Sequence, residues 1–356
     1  MNRNRVGPIA QALLAALLFG ASAPFAKLLL GEIEPILLAG LLYLGSGIGL
    51  LGIQTCLRTT QPAARNEAPI RRSDFPWLAG ALLAGGVAAP ITLLFSLRIT
   101  PAATATLLLN FEGVATTLIA ALAFKESIGR RAWGAIGLIA IASVLLSING
   151  KANWGLSLGA IGVLAACVLW GIDNNLTRAI SGKDPLKIAS IKGLGAGSFS
   201  LGFALIAGNQ FPGAGVILGA MILGCLSYGV SIALFIRAMR GLGAARTSVL
   251  FGTAPLSGII LSVLLFQELP NWPFVLALLL MALGTGVLLS ERHEHHHAHD
   301  MTIHEHSHVH DDGHHQHGHD GEYTELHSHA HQHDDSPHVH DHMPDLHHRH
   351  VHRSES

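Results

Sequence analysis

The 356-residue chain is half hydrophobic and only 13% charged, about half the charged share of a soluble domain. An ordinary water-soluble fold is therefore excluded for most of its length. The net charge of −1 hides two opposed parts, with 19 Lys+Arg against nine Asp+Glu in residues 1–290 and three Arg against 14 Asp+Glu in residues 291–356. All 24 histidines fall in the second part, between His293 and His352.

In chain order, apolar stretches run over residues 8–30, 35–57, 76–97, 102–123, 131–148, 156–178, 186–207, 214–236, 246–266 and 272–289. Each is about 18 to 24 residues, the length that crosses ~30 Å of hydrocarbon at 1.5 Å per residue. Lipid offers backbone groups no water, and the alternation of a membrane strand is absent, so helices are predicted. The expected fold is an all-α membrane protein of ten transmembrane helices. The first stretch does not read as a cleaved signal, because Ala21-Ser22-Ala23 is followed by Pro24. Cys56, Cys167 and Cys225 all lie in apolar stretches and form no metal-binding or disulfide pattern. Small-residue pairs four apart, Gly45/Gly49, Gly155/Gly159, Gly193/Gly197 and Gly215/Gly219, predict close helix packing within or between subunits.

Positive charge sets the expected orientation. With the N-terminus inside, 15 Lys and Arg collect in cytoplasmic segments, among them Arg58, Arg65, Arg71, Arg72, Lys183 and Arg246, against only Arg98 and Lys151 outside. Both termini are then cytoplasmic, in what reads as a bacterial inner membrane. The halves also echo each other. Phe124-Lys125-Glu126 recurs 142 residues later as Phe266-Gln267-Glu268, with Arg98/Arg240, Ala103/Ala245 and Leu108/Leu250 at the same offset. Phe19-Gly20 pairs with Trp170-Gly171, and Lys27 with Arg178, at a slightly longer one. Five spans per half is odd, so the second half should lie inverted relative to the first, as in many alternating-access transporters. The organisation reads as residues 1–150 and 151–290, one five-helix repeat each, then residues 291–356 as a disordered His-rich tail.

On these residues the chain resembles EamA-type members of the drug/metabolite transporter superfamily, over roughly residues 8–290. It departs from that pattern where the ninth span has Pro255 and the fourth has Gly113, preceded by Asn110-Phe111-Glu112. The resemblance implies secondary transport. Relatives with similar tails, and superfamily members linked to nickel and cobalt resistance, bring transition metals forward as cargo.

Among residues that would carry transport, Glu112 stands near the centre of the fourth span, where a carboxylate is costly unless paired, protonated or facing water. It suits a proton-coupled step, although pairing with Lys27 or with Asn110 would make it merely structural. Asp173-Asn174-Asn175 follow Trp170 in the sixth span, and their side chains point about 100° apart, so at least one is expected to line a cavity. They also lie close to the cytoplasmic end of that helix. Lys27 follows Pro24 by three residues, a break of the kind transporters use at binding sites, but snorkelling to the outer interface is the simpler reading. Pro90 and Pro255 mark similar breaks.

In the tail, the candidate metal ligands are His304, His306, His308, His310, His314, His315, His317, His319, His327, His329, His331, His333, His338, His340, His342, His347, His348, His350 and His352, interleaved with carboxylates. Neutral imidazole suits nickel, cobalt, zinc and copper, and at three to four ligands per ion the tail would hold on the order of six. Such a tail can serve transport or act as a plain buffer, and the sequence leaves both open. No phosphate-binding loop, HExxH or nucleophile elbow occurs. The reading is a non-enzymatic secondary transporter, an exporter requiring no cofactor. Its partners are lipid and a small solute or metal ion, with a homodimer open and no nucleic acid. Cargo divides between a divalent transition metal fed by the tail and a small organic metabolite or amino acid. The rival class is a membrane-anchored metal buffer or sensor, for which one span would suffice.

Overall fold

The computed structural model describes residues 6–60, 69–124, 130–147, 157–180, 183–242, 247, 250–267, 271–289, 303–308 and 327–332. The body is all-helical: α1 (Val6–Gly20), α2 (Ser22–Leu29), α3 (Pro35–Thr60), α4 (Phe75–Ala81), a π-helical turn (Leu82–Ala88), α5 (Ala89–Ile99), α6 (Ala102–Leu108), α7 (Phe111–Phe124) and α8 (Arg130–Ser147). The second half continues with α9 (Leu158–Arg178), α10 (Pro185–Ile206), α11 (Ala214–Gly224), a second π-helical turn (Cys225–Val230), α12 (Ser231–Leu242), α13 (Ala254–Phe266) and α14 (Trp272–Leu289). Among the described residues seven helical runs are long and apolar enough to cross a membrane: Gly7–Leu29, Pro35–Cys56, Arg72–Ile99, Ala102–Ala123, Leu158–Arg178, Leu186–Ile206 and Ala214–Ala238. Three shorter apolar helices, Trp133–Leu146, Ala254–Phe266 and Trp272–Val287, fall where the remaining stretches were expected.

Several runs are broken along their length. α1 stops at Gly20, and Pro24 lies in the first turn of α2. Pro90 opens α5 directly after the first π-helical turn, and Pro255 opens α13. A proline in the first turn gives up an N–H that has no intrahelical partner anyway, so each marks a restart. A further break, between α6 and α7 at Leu109-Asn110, has no proline; Asn110 Nδ2 donates to the Leu107 carbonyl at 3.0 Å, drawing off an acceptor of the helix ladder.

α3 and α10 form the most extensive helix pair and run antiparallel: Gly40 lies against Leu201, Gly47 against Leu194, and Gln54 Nε2 donates to Ser190 Oγ at 2.6 Å. The crossing is so close that a Cβ on Gly47 would stand 2.6 Å from the Leu194 backbone nitrogen. Gly193 and Gly197 share this crossing, Gly45 and Gly49 lie as closely against Met221 and Cys225, Gly215 meets nothing within 4 Å, and Gly219 meets only the tip of Leu29. Gly155 lies outside the described residues. Leu37, Leu38, Leu97, Leu107, Leu108 and Val163 are fully buried at the centre, while Leu122, Ile206, Leu264 and Leu279 stand outward. That outer apolar belt fits hydrocarbon, not water.

In the tail, β1 (Ile303–His308) pairs antiparallel with β2 (His327–Gln332). The other tail histidines, with Glu126, Glu268 and Ala245, lie outside the described residues.

Candidate functional site

The break between α6 and α7 places Glu112 in the first turn of α7, where the helix dipole favours an anion. Its Oε1 accepts from Asn174 Nδ2 of α9 at 2.8 Å, and the same amide reaches Thr116 Oγ1 at 3.1 Å. Glu112 keeps partial exposure and Asn174 is exposed. A carboxylate and an amide would not be left open to hydrocarbon at this depth, so the physical expectation is a polar cavity beside them.

One residue earlier on α9, Asp173 faces a different neighbour. Lys192 Nζ of α10 lies 2.5 and 2.7 Å from its two carboxylate oxygens, and the side chains are 17% and 8% exposed. Thr177 Oγ1 donates to Asp173 Oδ1 at 2.9 Å and lies 3.3 Å from Lys192 Nζ. Asn175 Nδ2 donates to the carbonyls of Thr116 and Gly171 at 3.0 and 2.8 Å. Asp173 thus turns to Lys192 of α10, while Asn174 and Asn175 both reach α7, where they meet the side chain and the carbonyl of Thr116.

The first π-helical turn forms the adjoining wall. The Gly85 carbonyl accepts from Tyr43 Oη at 2.8 Å and from Trp170 Nε1 at 3.0 Å. Only glycine fits there, because a Cβ would sit 1.9 Å from Asp173 Oδ2. Tyr43 stacks on Tyr228 of the second π-helical turn with ring centroids 5.9 Å apart, and Tyr228 meets Phe19 edge-on at 6.0 Å. Phe19 continues to Phe251 at 5.3 Å. Among the described residues of the helical body, no three His, Cys, Asp or Glu converge to hold a metal ion. Cys167 is buried, its thiol 3.6 Å from the Leu108 carbonyl.

Of the expected transport residues, the structure gathers Glu112, Asp173, Asn174 and Trp170. It leaves two elsewhere. Asn110 serves the local break, and Lys27 donates to the Thr100 carbonyl and lies 5.6 Å from the centre of the Phe266 ring. Neither is the partner of Glu112 that the sequence raised. Tyr43, Gly85, Thr116, Thr177, Lys192 and Tyr228 were not singled out as site residues. Lys192 had a signal, as one of two cations left within spans; the others looked like packing residues.

Long apolar helices, internal breaks and a polar cluster at mid-span define an integral membrane protein built around an intramembrane polar site. The EamA-like transporter family matches this chain twice, at residues 7–148 and 157–290, and the chain belongs to that family. It is 29% identical over 267 residues to an uncharacterized transporter of Methanothermobacter thermautotrophicus, covering 71% of this chain and 78% of that protein. One solved crystal structure shares the fold at a TM-score of 0.56 and 18% identity, covering 80% of this chain and 96% of its own. The protein is a multi-span transporter and not an enzyme.

Proposed function

We propose that the body is a ten-span secondary exporter in a cytoplasmic membrane, with both termini inside and two inverted five-helix repeats. Four features support a repeat, and the second of them supports inversion. The family matches each half once, and corresponding helices α3 and α10 open with Glu34-Pro35 and Asp184-Pro185, 150 residues apart, yet run antiparallel. The π-helical turns start 143 residues apart, at Leu82 and Cys225, and the turns before α7 and α13 likewise correspond. Broken helices near mid-membrane are where transporters of this kind bind cargo.

The observation that carries the cargo reading is that Glu112 has an amide as its partner while neighbouring Asp173 is neutralised by Lys192. With Glu112 ionised, the three charged groups sum to −1, beside a wall of Tyr43, Tyr228, Trp170 and Phe19. One carboxylate next to aromatic faces suits a small organic solute carrying an amine, through charge and cation–π attraction. A proton on Glu112 would exchange for that cation. The second reading, a divalent transition metal as cargo, is favoured by the tail: its histidines would bind zinc, nickel, cobalt or copper and deliver or sense cytosolic ion.

The test is flux in proteoliposomes with an imposed pH gradient, using a panel of amino acids and amines beside zinc, nickel and cobalt. Glu112→Gln should cut flux of the transported solute at least tenfold while insertion is unchanged. Normal flux with unaltered pH dependence would remove Glu112 from the mechanism. No flux of any of these solutes from wild-type protein would remove both cargo readings.

A further inference from the structure

Three spans end together in a basic patch that the polar site does not use. The run Arg72–Ile99 begins there, Leu158–Arg178 ends there, and Leu186–Ile206 begins there. Packing fixes the junction: Ile70 lies against a small apolar cluster of Leu78, Ile180 and Ile188, separate from the central core. Gly80 of α4 also faces α9, since a Cβ on it would stand 3.0 Å from Leu176 Cδ1. Arg71 and Arg72 directly follow Ile70, Arg178 and Lys183 flank Ile180, and Lys187 precedes Ile188. Arg71 and Arg72 are exposed, and the other three cations are half-buried. The acids beside them do not balance this charge. Asp74 Oδ2 accepts from the Arg71 backbone N–H at 2.7 Å, and Asp184 Oδ1 from those of Leu186 and Lys187 at 3.0 and 3.1 Å, so both carboxylates cap helical turns. However these groups pair among themselves, five cations against two carboxylates leave three positive charges over among the described residues. Next to them, on α4, Phe75 and Trp77 stand 57% and 40% exposed. Exposed aromatic rings beside arginines at the end of a span are the pattern of the membrane–water interface, with rings at headgroup level and cations reaching phosphate.

We infer that this junction of α4, α9 and α10 is a binding site for an anionic phospholipid, its phosphate held by Arg71, Arg72 and Lys187 and its acyl chains lying along Phe75 and Trp77. A zwitterionic headgroup brings no net charge to offset the surplus, whereas an anionic one does. Two neighbouring guanidinium forks suit phosphate in particular, because each can donate two parallel N–H bonds to it. The site also bears on the polar cluster. Asp173 lies five residues before Arg178 on α9, and Lys192 five residues after Lys187 on α10. A bound headgroup therefore braces the ends of the two helices that carry the Asp173–Lys192 pair. Which leaflet supplies the lipid follows from the proposed orientation, but the site itself does not rest on it.

The test compares full-length protein in nanodiscs of phosphatidylcholine alone and of phosphatidylcholine with phosphatidylglycerol, which present both membrane faces and so do not depend on orientation. The readouts are the midpoint of thermal unfolding and the lipid retained by the protein in native mass spectrometry. Wild-type protein should unfold at higher temperature with phosphatidylglycerol present, and retain it over phosphatidylcholine by about tenfold or more. The triple variant Arg71→Gln, Arg72→Gln, Lys187→Gln should lose both the preference and the shift. A control with Arg3→Gln, Arg5→Gln and Arg237→Gln, which removes the same net charge, should keep both. Added salt should move wild-type protein towards the triple variant, because exposed cations are screened. Equal losses in the triple variant and the control would reduce the site to general attraction by net charge and overturn it. Absence of any preference in wild-type protein would do the same. A triple variant destabilised as much in phosphatidylcholine alone as with phosphatidylglycerol would assign the patch to contacts within this chain, its acidic tail included, and not to lipid.

Discussion

Two carboxylates one helix apart at this site are held in opposite ways, and the difference separates their roles. Glu112 has a neutral amide for a partner and remains accessible, so its charge is available to cargo or proton. Asp173 is saturated by Lys192 and Thr177, which makes it a tie between α9 and α10. A buried ion pair contributes little net stability, because desolvation offsets attraction, but removing one member leaves an unpaired buried charge. Asp173→Asn or Lys192→Met alone should therefore destabilise the protein by about 3–5 kcal/mol, and the double variant by clearly less. Thermal unfolding of the four proteins in detergent checks this, and additive losses would mean the pair is not a unit. Glu112, Asp173 and Asn174 were legible in the sequence because polar residues stand out in an apolar span. Their partners were not, because which helices are neighbours is a tertiary fact. Tyr43 and Gly85, in particular, read as ordinary span residues until Trp170 and Asp173 are packed beside them.

At the scale of elements, close helix approach is what makes the body specific. α3 meets α10 through glycines, with backbone against backbone, so there is no flexible side chain to absorb an added atom. Gly47→Ala places a Cβ 2.6 Å from the Leu194 nitrogen, and the helices must separate. A loss of about 1–3 kcal/mol is expected, the usual scale for overpacking. Gly52→Ala, on the same helix with nothing within 4 Å, should be neutral or stabilise by up to about 1 kcal/mol through helix propensity. Midpoints of thermal unfolding for the two variants should thus move in opposite directions or by clearly different amounts. The same spacing rule that found Gly193 and Gly197 also chose Gly215 and Gly219, because spacing reports a helix face without its neighbour. Helix breaks at Pro24, Pro90 and Pro255 were readable for a local reason, the missing N–H. The Leu109-Asn110 break and both π-helical turns lack such a marker, since each depends on where a carbonyl finds its donor.

At the scale of the molecule, a body of +10 is joined to a tail of −11. With both termini on the positively charged face, as proposed, the tail is attracted to the cytoplasmic loops, and bound divalent ions would weaken that attraction. Truncation after Ser290 separates the two parts. The body should remain inserted and folded, because its central core is drawn from helical residues between Ala26 and Met281 and the tail has few apolar residues to add. Since no histidine precedes His293, nearly all zinc and nickel capacity should disappear. Flux then discriminates between cargoes. If metal is carried, the truncated protein should transport at high cytosolic ion and fail at low ion, where a tethered reservoir raises the local concentration at the entrance. If an organic amine is carried, truncation should leave its flux unchanged without metal, and any effect of added zinc on full-length protein should vanish. Vesicle transport by both proteins across an ion titration reads all of these outcomes. Metal flux absent from both at every concentration would eliminate metal as cargo and assign the tail to buffering or regulation.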